Sequence, residues 1–190
     1  MDPLDKVFDK VDRRNFMLPE LVDSAGFDMP LPIGFGQTIS QPTTVRLMLQ
    51  WLEPQTGDKV LDIGSGSGWT SALLAHLVGP SGKVYAVELI PELVEFGRQN
   101  CQKLGLKNIH FRQAGQKYGL PKEAPFERIL VSAAAEELPT ELIDQLKVGG
   151  KMVIPIRNDI LEIEKTSAKD IETRVHPGFV FVPLVPNERV

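Results

Sequence analysis

The chain has 190 residues, 42% of them hydrophobic and 24% charged, with a formal net charge of -4. That length accommodates one well-buried domain. The acidic balance, without a Lys/Arg stripe, disfavours a nucleic-acid partner, no apolar run reaches the roughly 20 residues of a membrane span, and a lone cysteine, Cys101, offers neither a disulfide framework nor a zinc site.

The charged start Met1-Asp2-Pro3-Leu4-Asp5-Lys6 is unlike a signal segment, so the expected compartment is the cytoplasm. Residues 31–42 are too rich in Gly and Pro for a helix and too apolar for an idle linker, and they read as an ordered loop over a site. Residues 59–63 then form a strand, 70–78 a helix with Leu73, Leu74 and Leu77 on one face, 83–88 a strand, and 91–104 a helix opened by proline, with Cys101 as a small buried residue inside it. A third strand spans 108–112 and a fourth 128–132; a helix follows over 140–146, and the Gly149-Gly150 stop precedes a fifth strand over 151–156. Residues 160–165 and 179–185 read as β segments joined by a loop.

Strands alternating with helices predict an α/β fold, a doubly wound and mostly parallel sheet that closes with an antiparallel C-terminal strand pair. A ligand would lie outside the carboxyl ends of the parallel strands. Residues 1–190 are expected to form a single domain, with an N-terminal active-site segment (1–50), a cofactor-binding core (51–157) and a C-terminal β segment (158–190).

The most informative stretch is Val60-Leu61-Asp62-Ile63-Gly64-Ser65-Gly66-Ser67-Gly68-Trp69. Glycine there can adopt φ > 0 and lets a ligand approach the main chain closely. A dinucleotide fingerprint would need a third glycine where Trp69 stands, and a carboxylate before the turn suits a cationic ligand better than a pyrophosphate. The pattern D-x-G-x-G-x-G therefore reads as an S-adenosylmethionine loop with Gly64, Ser65, Gly66 and Gly68 against the cofactor. Asp62 either faces that ligand or ties down its own turn. Glu88 stands 20 residues after Gly68 at the end of the next strand, where a carboxylate can accept hydrogen bonds from both ribose hydroxyls. Leu89 beside it is expected to join the cofactor contacts, and Glu88, as a strand-end acid, to serve binding with little part in folding. His76, His110 and His176 lack an adjacent catalytic partner and read as structural, and no metal site is expected.

The run Gly34-Phe35-Gly36-Gln37-Thr38-Ile39-Ser40-Gln41-Pro42 resembles the signature of the protein-L-isoaspartate O-methyltransferase family. The resemblance extends over residues 11–19, the cofactor loop, Gly119-Leu120-Pro121 with Ala124-Pro125-Phe126, Ser132-Ala133-Ala134-Ala135, residues 146–155 and the ending Phe181-Val182-Pro183-Leu184-Val185. It implies methyl transfer from S-adenosylmethionine, with S-adenosylhomocysteine as product, to the α-carboxylate of L-isoaspartyl residues in damaged proteins and peptides. It further implies a cytoplasmic monomer without nucleic-acid or membrane partners. Thr38, Ile39 and Ser40 correspond to the catalytic loop, the Ser40 hydroxyl holding the acceptor carboxylate. Gln37 joins the cofactor contacts and, with Gln41, shapes the loop, while Ala133 and Ala134 line the pocket. Where the family commonly carries Gly-Asp-Gly, this chain has Ala114-Gly115-Gln116, so the adenine amino group falls to the amide oxygen of Gln116. A methyltransferase with a different acceptor, or a cofactor-binding protein with little turnover, fits the same residues.

Overall fold

The structure, a computed structural model, describes residues 2–185. Its N-terminal part is a succession of short elements. Helix α1 (Pro3–Lys10) is capped by the Asp2 side chain, and two 3-10 segments follow at Arg13–Phe16 and Pro19–Ser24. The hairpin of β1 (Leu31–Gly34) and β2 (Gln37–Ile39) leads into helix α2 (Pro42–Leu52), with proline at the first turn, where its missing N–H costs nothing.

From residue 59 the chain alternates. Strands β3 (Lys59–Ile63), β4 (Lys83–Glu88) and β5 (Ile109–Gln113) are joined by helices α3 (Trp69–Val78) and α4 (Pro91–Lys103). Then β6 (Phe126–Val131), helix α5 (Thr140–Gln145) and β7 (Leu146–Ile156) complete the parallel set. β8 (Asp159–Lys165) and β9 (Ile171–Pro177) are added antiparallel, giving one seven-stranded sheet in the order β5-β4-β3-β6-β7-β8-β9.

Period-two alternation divides the core between the two sheet faces. Val60 and Val84 pack on one side with Leu73, Leu74 and Leu49, whereas Leu61, Ile63, Val87 and Phe126 pack on the other with Leu142 and Leu146. The chain leaves β3 outward through β4 to β5 and returns to β6 on its other side. The strand ends of β3 and β6 therefore border a topological switch point, where a crevice opens.

The α/β class and the C-terminal antiparallel pair are as expected, but the pair's second member is not residues 179–185. It is β9, a largely exposed edge strand whose polar run Glu172-Thr173-Arg174 carries no apolar alternation, as suits an edge that must not recruit another chain. Residues 179–185 form a segment without a strand ladder, with one bridge, Pro183 to Ala134, and His176, expected in the tail loop, lies in β9. Gly149-Gly150 is not a stop either. β7 begins at Leu146, and the register beside β6 jumps from Phe126↔Leu146 to Arg128↔Lys151, so the glycines form a bulge inside the strand. Residues 31–42, expected as an ordered loop over a site, are ordered as a hairpin and a helix start. The division at 50/51 falls inside α2, and that at 157/158 in the turn between paired strands β7 and β8.

Candidate active site

A crevice opens at the switch point, lined by the turn after β3, the end of β4, the β1–β2 hairpin and residues 182–185. Its floor is the turn from β3 into α3. Gly64 and Gly66 line it with bare backbone at φ +76° and +50°, a region closed to most side chains. The turn is pinned to β4, because the Gly64 and Ser65 amides both donate to the Val87 carbonyl, at 2.9 and 3.1 Å. Gly68 plays a different part: a Cβ there would sit 3.0 Å from the Gly97 carbonyl and 3.1 Å from Cys101 Sγ, so this glycine allows α3 to start tight against α4.

Glu88, at the end of β4, lines the crevice while being 7% exposed. Its Oε2 accepts the Gly66 amide at 2.9 Å, and its Oε1 accepts those of Leu89 at 2.7 Å and Ile90 at 3.0 Å. One carboxylate therefore fixes the glycine turn and the entry to α4, and Oε2 keeps accepting capacity toward the crevice. Asp62 is fully buried beneath the turn, and its Oδ2 accepts from the Thr70 and Ser71 hydroxyls. Burial pushes its carboxyl up to about 6, against those two hydrogen bonds. Asp62 thus anchors the turn from behind rather than facing the crevice.

The opposite wall is the β1–β2 hairpin. Alternation along β2 sends Ile39 into the core and leaves Thr38 exposed, and Thr38, Ser40 and Gln37 line the crevice together with Ile33 from β1. A second cleft, lined by Pro30, Gln41, Thr43, Leu47 and residues 178–182, meets the first along Thr38, Ser40, Ser132 and Val182. The tail that separates them is held in place twice. The Ala134 amide donates to the Val182 carbonyl at 2.8 Å and the Leu184 amide to the Ala134 carbonyl at 2.7 Å. Upstream, Trp51 of α2 stacks on His176 at 3.7 Å between ring centres, with Phe179 edge-on to Trp51.

Of the residues singled out from sequence, Gln37, Thr38, Ser40, Gly64, Gly66, Glu88 and Leu89 converge on the crevice. Ile39, Asp62, Ser65 and Gly68 lie behind it, all four buried. Exposed Gln116 falls between Gly115 and Lys117, which do line the crevice. Ala133 lines it too, whereas Ala134 spends its backbone on the tail.

Three further features went unread in the sequence. Asp28 accepts from the Thr43 amide and hydroxyl and from Gln41 Nε2, at 2.8, 2.7 and 3.1 Å, bonds that hold its carboxyl below the usual carboxylate range. It thereby caps α2, whose own N-cap residue Gln41 makes no side-chain cap bond. Gln145 holds the Tyr118-Gly119-Leu120 wall by accepting from the Leu120 amide and donating to the Tyr118 carbonyl. Arg13 is buried with its guanidinium among backbone carbonyls. A carboxylate 15 residues from the helix it caps leaves no local pattern. Among the described residues no cluster of His, Cys, Asp and Glu could hold a metal ion, and no helix is long and apolar enough to cross a membrane.

Comparison with known proteins gives the chain a family. The family profile described as protein-L-isoaspartate(D-aspartate) O-methyltransferase matches residues 1–189. A protein-L-isoaspartate O-methyltransferase of Aeropyrum pernix is 50% identical over 181 residues, covering 93% of this chain and 70% of that protein. A solved protein-L-isoaspartate O-methyltransferase superposes with a TM-score of 0.88 at 26% identity, over 98% of this chain; the chain spans 62% of that structure's length. A solved Plasmodium falciparum structure, described as a putative protein-L-isoaspartate O-methyltransferase in complex with S-adenosyl-L-homocysteine, gives a TM-score of 0.86 at 28% identity, over 97% of this chain and 91% of that one.

Proposed function

Because this chain belongs to the protein-L-isoaspartate(D-aspartate) O-methyltransferase family, we propose that the crevice holds S-adenosylmethionine and that the adjoining cleft presents an isoaspartyl carboxylate across Thr38 and Ser40. The protein is an S-adenosylmethionine-dependent methyltransferase that acts on isoaspartyl residues. The observation that carries the site assignment is the shared border: the two clefts meet along the hydroxyl-bearing residues Thr38, Ser40 and Ser132.

The residues present fit the cofactor. Bare backbone at Gly64 and Gly66 admits close approach, Glu88 Oε2 can accept from a ribose hydroxyl, and Ile33, Leu89 and Ile90 give apolar walls. Gln116, beside the crevice, is assigned to the adenine amino group. Asp62, Ser65 and Gly68 keep the turn in shape from behind, and Ile39 fixes the hairpin by filling the core. When bound, adenosylmethionine supplies an electrophilic methyl group on a sulfonium.

The chain's own task is then positioning. The acceptor carboxylate is already ionised at neutral pH, so no residue has to remove a proton, in keeping with the absence of a histidine among the described residues that line the crevice. Ser40 and Thr38 donate to one carboxylate oxygen and leave the other aimed at the cofactor side. Ile33 and Val182 keep water from the junction. Alignment of this kind contributes on the order of 7 kcal/mol or more in favourable cases.

The ester product closes spontaneously to a succinimide, which makes the reaction a repair step. In this reading the protein works in the cytoplasm as a monomer, on proteins and peptides rather than on nucleic acid or membrane; the acidic balance without a Lys/Arg stripe supports the exclusion of nucleic acid. Residues 1–190 act as one methyltransferase domain, the hairpin segment facing the acceptor and the parallel strand ends facing the cofactor.

The test is a pair of peptides, one isoaspartyl and one aspartyl, scored by base-labile methyl esters released as methanol. Only the isoaspartyl linkage leaves its α-carboxyl free, so labelling should be confined to it. Ser40→Ala should lower its turnover roughly ten- to a hundredfold, the worth of one hydrogen bond to a charged group, with adenosylhomocysteine affinity nearly unchanged. Equal labelling of both peptides, or of neither, would reject the acceptor assignment.

A further inference from the structure

Resting on that acceptor assignment, we propose that Arg13 is a positioning residue for methyl transfer: its buried guanidinium locks the loop carrying Thr38 and Ser40 in place beside the cofactor turn. The residue is 5% exposed, unusual for an arginine, and the nearby Asp28 carboxylate interacts with it only through space, without a direct hydrogen bond. Its direct partners are carbonyl dipoles, with the Asp28 charge adding to them from a distance. Nη1 donates to the Ala25 carbonyl at 3.3 Å and the Phe27 carbonyl at 3.1 Å; Nη2 donates to those of Met29 at 2.8 Å, Ser40 at 3.0 Å and Ile39 at 3.4 Å. Five carbonyls from two separate segments converge on one fork, and Nε remains buried without a partner.

Such burial is a poor way to gain stability, since desolvating a cation costs several kcal/mol and apolar packing of the same volume often does as well. What the arrangement does achieve is geometric. The 25–29 turn and the Ile39-Ser40 backbone are held at a fixed separation by a planar group whose donor directions are set. Because the Ser40 carbonyl is one of the captured groups, the same contact orients the residue whose hydroxyl lines both clefts.

The other side of the guanidinium completes the bridge. It lies 5.4 Å over the Trp69 ring, and Trp69 is the first residue of α3, directly after Gly68 of the cofactor turn. Trp69 Nε1 in turn donates to the Val11 carbonyl at 3.2 Å, two residues before Arg13. Arg13 thus sits between the acceptor loop and the start of the cofactor-side helix. A lysine cannot replace it, because one ammonium has three donors at a single point and no fork.

The full-length protein decides this with Arg13→Lys and Arg13→Met. Adenosylhomocysteine affinity should stay within about threefold of wild type in both. Turnover of the isoaspartyl peptide should fall about a hundredfold in Arg13→Met, the loss expected for a misplacement near 1 Å, and about tenfold in Arg13→Lys. Amide hydrogen exchange should quicken across residues 37–45 and stay unchanged across 64–68. Turnover and cofactor affinity falling by the same factor, or unchanged protection of 37–45, would overturn the proposal. If Arg13→Met fails to fold, Arg13→Lys carries the same comparison. Wild-type protein that leaves the isoaspartyl peptide unlabelled would sink the acceptor assignment alone, with hydrogen exchange still deciding whether Arg13 holds the loop.

Discussion

Glu88→Ala should damage the fold and the site together, contrary to the simple view of a strand-end acid that serves only a ligand. The substitution leaves three backbone N–H groups, those of Gly66, Leu89 and Ile90, without their acceptor. Hydrogen bonds to a charged group contribute roughly 1.5–3 kcal/mol each when buried. These amides border an open crevice where water can replace part of the loss, so about 2–4 kcal/mol in total is the reasoned cost. With a urea slope of about 2 kcal/mol/M, the unfolding midpoint should drop by about 1–2 M. A saturating ligand at a hundred times its Kd stabilises wild type by about 2.7 kcal/mol, and the same concentration of adenosylhomocysteine should protect the variant far less. Glu88→Gln, which keeps the shape and one oxygen, should fall between. Urea melts with and without ligand, read by circular dichroism, supply all of these numbers. An unchanged midpoint would show that the three bonds are dispensable, and an undiminished ligand shift would remove Glu88 from the cofactor site.

Gly66→Val should abolish adenosylhomocysteine binding in calorimetric titration while the sheet survives, at a stability cost of about 1–3 kcal/mol: φ is +50° there, and a Cβ would stand 3.1 Å from Ile33 Cδ1. Normal affinity would reduce the glycine turn to mere connection. Asp62→Asn should change how stability varies with pH. Burial raises the Asp62 carboxyl from 3.8 to about 6, so its stabilising contribution is complete below pH 3.8 and lost as the pH rises through about 6. That rise is worth roughly 3 kcal/mol. Wild type should therefore lose about that much relative to the variant between pH 4 and 7, and parallel profiles across that window would refute it.

What could be read from the sequence follows the range of the interactions. Strands β3, β4 and β6 announce themselves because each is largely buried and so carries a short apolar run, and the glycine turn because its constraint is confined to five neighbouring residues. β9 escaped because an exposed edge strand selects for polar residues and so erases the period that would reveal it. Residues 179–185 misled for the converse reason. Their apolar side chains serve a wall between two clefts, with Phe179 and Phe181 packed on the core, and that purpose does not require a ladder of backbone bonds.

The candidate site divides in the same way. Thr38 and Ser40 were found through a family signature, but what holds them was hidden, since Asp28 reaches Thr43 across 15 residues and Arg13 reaches Ser40 across 27. Neither separation carries a helical or strand period. In the pair Arg13-Arg14, adjacency itself conceals the difference. Arg14 is exposed and pairs with Asp12 beside it, the ordinary fate of a surface arginine. Arg13, one residue earlier, faces inward because the 3-10 turn at Arg13–Phe16 rotates it beneath the hairpin. Identical side chains thus take opposite roles through about one third of a helical turn, and only the fold distinguishes a solvated charge from one that organises the acceptor loop.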